Sequence, residues 1–230
     1  MNIVLYLLFL TIGSLAVIAP QPDNTGFLSA FFLIFMTLPL WLDLFSFDKK
    51  RAALVILGLG LFGLTFEHMA ITTGWPYGNF TYSSAIGGKI GGEVPWTVGI
   101  AWPPIIILST LFANTFTQKT TFYKLLLALF AVIIFDAILD PAAVAINYWS
   151  WENSGIYYGI PLTNYLGWLI SGAIGVVFAH LALRDHRLTN QALNSGFMML
   201  GFWTGVCIST SLYFPALLAA LLAFALFKRV

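Results

Sequence analysis

The sequence predicts an all-α integral membrane protein, a polytopic bundle of about eight (seven to eight) transmembrane helices with both termini cytoplasmic. Three observations carry that expectation. Hydrophobic residues make up 60% of the chain and charged residues only 8%, against about 25% charged in a soluble domain; mean hydropathy is +0.90. Apolar runs recur along the whole length. The few basic residues alternate between them.

Six runs read as single spans: Ile3–Ala19, Gly26–Leu44, Ala52–Ala70, Trp96–Ala113, Phe122–Leu139 and Leu162–Leu183. Most approach the roughly 20 residues needed to cross the hydrocarbon core. The first is not expected to be cleaved, because no basic residue precedes it and Pro20 follows Ala19, the one plausible cleavage position. The last run, Asn194–Phe227, is 34 residues long, or about 50 Å as one helix. Ser209-Thr210-Ser211 followed by Pro215 supplies a turn and a proline suited to the start of a new helix. Two short helices are expected there, for eight spans in all.

Basic residues test that count. Alternating sides with eight spans puts Lys49, Lys50, Arg51, Lys119, Lys124, Arg184, Arg187, Lys228 and Arg229 in the cytoplasm and leaves Lys89 outside, as the positive-inside rule requires. Seven spans would strand Lys228 and Arg229 on the wrong side. The whole chain, 1–230, is expected to be a single transmembrane domain of the cell or cytoplasmic membrane. No basic patch suits nucleic acid. The single Cys207 excludes an intramolecular disulfide and a thiolate metal cluster.

Two outer connections, 72–95 and 142–161, are long, aromatic and rich in glycine and proline. Six tryptophans fall on that side: Trp75, Trp96, Trp102, Trp149, Trp151 and Trp168. A headgroup belt accounts for some of them. Belts do not need so many turn residues, so the loops are expected to fold back over a site. Trp102-Pro103-Pro104 interrupts the fourth span, so its helix is expected either to start near Pro103 or to break there.

Glu67, Asp136 and Asp140 lie inside otherwise apolar segments. Counted from starts near Ala52 and Thr121, Glu67 and Asp136 are equally deep, roughly 22 Å along their helices. Asp140 follows one turn later on the same face, and Pro141 is expected to end that helix. A charge at this depth costs a few kcal/mol and normally faces a protected polar site. Asp136 and Asp140 cannot both ionise easily, so one is expected to hold a proton beside an ionised neighbour, as acid/base chemistry needs. The structural alternative is that Asp140 accepts from Trp or loop amides and Glu67 caps a neighbouring element.

His68 points about 100° away from Glu67 and reads equally as a site residue or a structural hydrogen-bonder. His180 and His186 read as interfacial, Lys89 and Glu93 as a solvated loop pair, and Asp43 and Asp48 as ordinary interface charge. Three scattered histidines cannot supply a di-iron site, and no metal is expected. No strand–glycine–helix turn offers a dinucleotide site. Proton chemistry without a cofactor remains.

The loops carry a resemblance. Glu67 followed by Thr73-Gly74-Trp75-Pro76-Tyr77-Gly78-Asn79-Phe80-Thr81-Tyr82, then Gly87 to Pro95 and Ala101-Trp102, resembles the carotenoid 1,2-hydratase/bisanhydrobacterioruberin hydratase family of carotenoid biosynthesis proteins. A second signature resembles it too: Asp136, Asp140-Pro141, Trp149-Ser150-Trp151, Gly155 to Pro161, and Asn164-Tyr165-Leu166-Gly167-Trp168. The likeness spans roughly residues 50–185, and the N-terminal helices and final hairpin add little to it. It implies cofactor-independent hydration of a terminal C=C bond of a linear carotenoid to a tertiary alcohol. A protonated carboxyl would deliver the proton, and aromatic faces would shelter the tertiary cation. Asp136 or Glu67 is the expected acid, with Asp140 orienting or activating water. His68, Trp75, Tyr77, Trp102, Asn164 and Trp168 are candidates for contact with the substrate. Membrane lipid and a lipophilic carotenoid are the expected partners, with other carotenoid enzymes or a second copy as candidates.

The first rival is a lycopene-type carotenoid cyclase, which quenches the same cation with an internal double bond. Members of that type are similar in carrying Gly-Gly-x-Pro before an acidic pair, but here Gly91-Gly92-Glu93-Val94-Pro95 precedes Trp96-Thr97. The second rival is a small transporter using the carboxylates as a relay. It predicts polar residues continuing inward and an inverted repeat, and the inner halves of spans three and five are nearly uniformly apolar.

Overall fold

The computed structural model describes residues 2–18, 26–117 and 119–228. Eight α-helices run along these residues: α1 (Asn2–Ile18), α2 (Gly26–Phe47), α3 (Lys49–Thr73), α4 (Val98–Phe116), α5 (Thr121–Ala145), α6 (Leu162–Leu183), α7 (Asn190–Ser209) and α8 (Tyr213–Phe227). Six of them, α2 to α7, are long and apolar enough to cross a membrane, while α1 and α8 are shorter. The Ala19–Pro20 position and Arg229 lie outside the described residues.

The expected hairpin forms. Ser211 adopts φ 63° at the turn between α7 and α8. Pro215 sits in the first turn of α8, where a missing N–H costs nothing. At the start of α3, the Asp48 side chain accepts from the N–H groups of Lys50 and Arg51 at 2.9 and 3.0 Å. These bonds, that from Arg51 above all, hold its carboxyl below the usual range. Asp48 is therefore a cap rather than a loose surface charge. Gly74, at φ 74°, closes α3 by returning its N–H to Ala70.

Three prolines that were expected to end or break helices do neither. α4 begins at Val98 and runs through Pro103 and Pro104. Pro103 frees the carbonyl of Gly99, which faces α3 at Gly60, where a Cβ would come within 2.6 Å of that oxygen. α5 runs through Pro141 to Ala145. Pro141 deprives the Ala137 carbonyl of its usual donor, and the Tyr157 hydroxyl replaces it at 3.0 Å. The Tyr157 repair and the space left by Gly60 both come from segments remote in sequence.

The loops also start later than expected, spanning 74–97 and 146–161, and they contain strands. β1 (Phe80–Tyr82) pairs antiparallel with β4 (Trp149–Trp151), Phe80 opposite Trp151 and Tyr82 opposite Trp149. β2 (Lys89–Ile90) pairs with β3 (Val94–Pro95) within the first loop. The β1–β4 ribbon stitches the two loops into one cap at one end of the bundle. The opposite, basic end carries Lys49, Lys50, Arg51, Lys119, Arg184 and Arg187. The Lys89–Glu93 pair does not form. Lys89 Nζ donates to the Tyr82 carbonyl at 2.5 Å, and Glu93 lies 2.9 Å from His68 Nδ1.

Packing in such a bundle depends on close backbone approach rather than on water expulsion. α1 lies along α7, with Gly13, Gly201 and Gly205 at the points of closest approach. At the centre, Gly63 of α3 leaves room for the Trp102 indole, whose Cγ would be 2.6 Å from an added Cβ.

At the basic end, Asp43 and His186 are buried rather than interfacial. His186 Nε2 lies 2.7 Å from Asp43 Oδ2, and the Thr189 hydroxyl donates to Asp43 Oδ1 at 2.6 Å. Thr189 also caps α7 by accepting from Ala192 N–H. Asn114 Nδ2 donates to the carbonyls of Leu183 and His186. This cluster ties α2, α4 and the α6–α7 connection together.

Candidate active site

Each of the three carboxylates is delivered by a different local device. Glu67 sits two turns before the Gly74 cap, on the buried face of α3. Asp136 and Asp140 occupy successive turns of α5, on one face by helical geometry. Asp140 keeps its place because α5 continues past Pro141. All three are buried, at 6%, 2% and 3% exposure, and all three line one cavity of about 150 Å³ under the β1–β4 ribbon.

Their hydrogen bonds differ. Glu67 Oε1 accepts from Trp102 Nε1 at 3.1 Å, and Oε2 accepts from the Tyr82 hydroxyl at 2.9 Å. Asp140 Oδ1 accepts from Trp149 Nε1 at 2.7 Å, and Oδ2 from Asn164 Nδ2 at 2.6 Å. The same Asn164 nitrogen donates to Asp136 Oδ2 at 3.0 Å. It therefore spends one hydrogen on each aspartate. Asp136 Oδ1 has no hydrogen-bond partner among the described residues. Of the six carboxylate oxygens, it alone is left without a protein donor.

No Lys, Arg or His pairs with any of the three among the described residues. Three anions in an apolar cavity without a cation would carry an uncompensated desolvation cost of several kcal/mol each. Among the described residues, no cluster of His, Cys, Asp and Glu has the arrangement of a metal site.

The walls are aromatic. Trp102 and Trp168 stack with ring centroids 4.5 Å apart and planes 15° apart. Tyr77 is buried at 1% exposure and donates to Ser171 Oγ at 2.8 Å. Phe80, Tyr82, Trp149 and Trp151 close the cap side. Tyr77, Trp102, Asn164 and Trp168 thus line the cavity. His68 and Trp75 do not. The His68 side chain is 63% exposed and pairs with Glu93, and Trp75 is 52% exposed against Phe66. A step of one residue from Glu67 turns His68 about 100° off the cavity face.

Asp140 accepts from a tryptophan, as the structural alternative expected, while Tyr82 and the walls from α2 and α7 went unseen in the sequence. Tyr82 and Trp149 hold two of the carboxylates directly. The β1–β4 pairing, invisible before the two loops meet, brings them in as cross-strand neighbours. α2 supplies Phe32, Leu33 and Met36, and α7 supplies Met199, Phe202 and Trp203. These helices, expected to add little to the resemblance, form part of the cavity wall.

A family model described as "Carotenoid biosynthesis protein" matches residues 25–226. A bisanhydrobacterioruberin hydratase of Haloarcula japonica is 33% identical over 215 residues, covering 87% of this chain and 72% of that protein. No solved structure matches.

Proposed function

This chain belongs to the carotenoid biosynthesis protein family, and we propose that it hydrates a terminal C=C bond of a linear carotenoid to a tertiary alcohol. One observation carries the reading: three buried carboxylates line an aromatic cavity that contains no basic side chain. The cation missing from that cavity is the one the reaction makes. A cavity near 150 Å³ holds roughly one benzene-sized group, the scale of an isopropylidene chain end.

In the proposed mechanism, Asp136 is the acid, because its Oδ1 is free to present a proton. That proton goes to the CH carbon of the terminal double bond. The π pair forms the new C–H bond, and the tertiary carbon is left positive. Glu67 and Asp140, each held on both oxygens by N–H or O–H donors, face that charge as carboxylates, and the Trp102 and Trp168 rings add their π faces. Water attacks the cation, its oxygen forms the C–O bond, and its extra proton passes to Asp140. Return of that proton to Asp136 resets the site. General acid catalysis of this kind contributes typically about 10² to 10⁴-fold.

The gathering of basic residues at one end of the bundle supports a cytoplasmic basic end and an outer cap. With eight crossings, both termini are cytoplasmic. A lipid-soluble substrate then reaches the cavity without leaving the bilayer.

Co-expression with a pathway that makes linear carotenoids tests the reaction. Mass spectrometry is expected to find pigments heavier by one water per reacted end. A pigment of unchanged mass but altered retention would instead favour cyclisation, and no change with any linear carotenoid would remove both.

A further inference from the structure

A second cavity of about 40 Å³ lies next to the first, on its basic-end side, and the two share Ile105 as a wall. Their linings continue one another along three helices. On α4, Trp102 faces the upper cavity, Ile105 both, and Ser109 and Phe112 the lower; spacings of three and four keep them on one face. On α7, Trp203 and Met199 lead down to Gly196. On α5, Asp140 and Asp136 lead down to Ala131. From Val98 to Phe112 this seam extends about 21 Å along α4.

The lower cavity differs from the upper in chemistry. It has no carboxylate, and Ser109 is its one polar side chain. Leu108, Phe112 and Leu222 on its rim are only half-buried, so its wall is thin toward the bilayer side. The upper cavity holds one chain end, and a linear carotenoid is far longer than that. The rest of the hydrocarbon needs an apolar path leading away from the carboxylates.

We infer that the lower cavity is a chain-binding subsite, which takes the apolar polyene behind the reacting end of a linear isoprenoid. The substrate runs down the α4–α5–α7 seam, and Ile105 and Met199 turn aside to join the two cavities. Methionine suits such a partition, because its unbranched chain repacks readily. The subsite rests on the hydration reading above, and it makes Ile105, Ala131 and Gly196 determinants of chain-length preference.

Filling the lower cavity tests this. Gly196→Val and Ala131→Leu each add bulk there, and a Cβ on Gly196 meets only ordinary contact, with Leu226 at 3.6 Å. Binding to the purified, detergent-solubilised full chain is followed by quenching of tryptophan fluorescence. The two probes are a long linear carotenoid and a short linear isoprenoid hydrocarbon with the same isopropylidene end. The ratio of long-chain to short-chain affinity is expected to fall about tenfold in each variant, the scale of one or two misplaced methylenes. Thermal melting of both variants confirms the fold. An unchanged ratio, with or without a gain in melting temperature, overturns the subsite and leaves a simple packing void. If the ratio falls as expected but the wild type forms no hydrated product, the subsite stands and hydration falls.

Discussion

The two ends of this bundle bury carboxylates in opposite ways. At the basic end, Asp43 has a donor on each oxygen, His186 and Thr189, and the cluster knits three segments together. At the capped end, Glu67, Asp136 and Asp140 line a cavity and have no basic partner among the described residues, which also leave Asp136 Oδ1 without a donor. Burial is the same; completeness is not. Asp43, paired with a histidine and a hydroxyl, holds the fold, whereas the cavity carboxylates have no basic partner among the described residues and Asp136 keeps one oxygen open for chemistry.

That contrast breaks if the two kinds of carboxylate respond alike to substitution. The largest effect is expected for Asp136→Asn, which keeps the shape but removes the acid: turnover falls about 10³-fold or more, while thermal melting is unchanged or higher. Asp43→Ala should do the reverse. It strands His186 and Thr189, and costs about 3 kcal/mol of stability, measured by thermal denaturation in detergent, while turnover per folded molecule is kept. If Asp43→Ala abolishes turnover in well-folded protein, the division between the ends is wrong.

Smaller effects sharpen it. Tyr82→Phe removes one of the two donors to Glu67, and turnover is expected to fall about tenfold, the equivalent of one hydrogen bond to a charged group. Tyr77→Phe deletes only the bond to Ser171. It should cost about 1 kcal/mol of stability and change turnover least of the three capped-end variants, because that hydroxyl touches no carboxylate.

What could be read in advance follows the same division between local and remote causes. The helix count, the α7–α8 turn at Ser211 and the burial of Glu67 and Asp136 come from local pattern, and they were legible. Pro103, Pro104 and Pro141 misled, because the rule that proline breaks a helix assumes nothing repairs the damage. Here Tyr157 serves the Ala137 carbonyl, and Gly60 makes room for that of Gly99. Neither residue lies near its proline in sequence. His68 and Trp75 looked like site residues through adjacency to Glu67 and membership of an aromatic loop, but helical rotation and loop placement turn both outward. Tyr82 as a ligand of Glu67, and Trp149 as the particular tryptophan on Asp140, became visible only through strand pairing between the two loops. The walls from α2 and α7 carried no signal, because an apolar residue facing a cavity looks like one facing lipid.

The central claim is that a carboxyl proton goes to carbon and a water oxygen follows it. Turnover of a linear carotenoid in deuterium oxide containing heavy-oxygen water tests both halves at once, with mass spectrometry of the product after exchange of hydroxyl hydrogens. One carbon-bound deuterium and one heavy oxygen per reacted end are expected from the wild type, and neither from Asp136→Asn. A product carrying deuterium but no heavy oxygen would point to cyclisation, and one carrying heavy oxygen without deuterium would contradict proton delivery to the alkene.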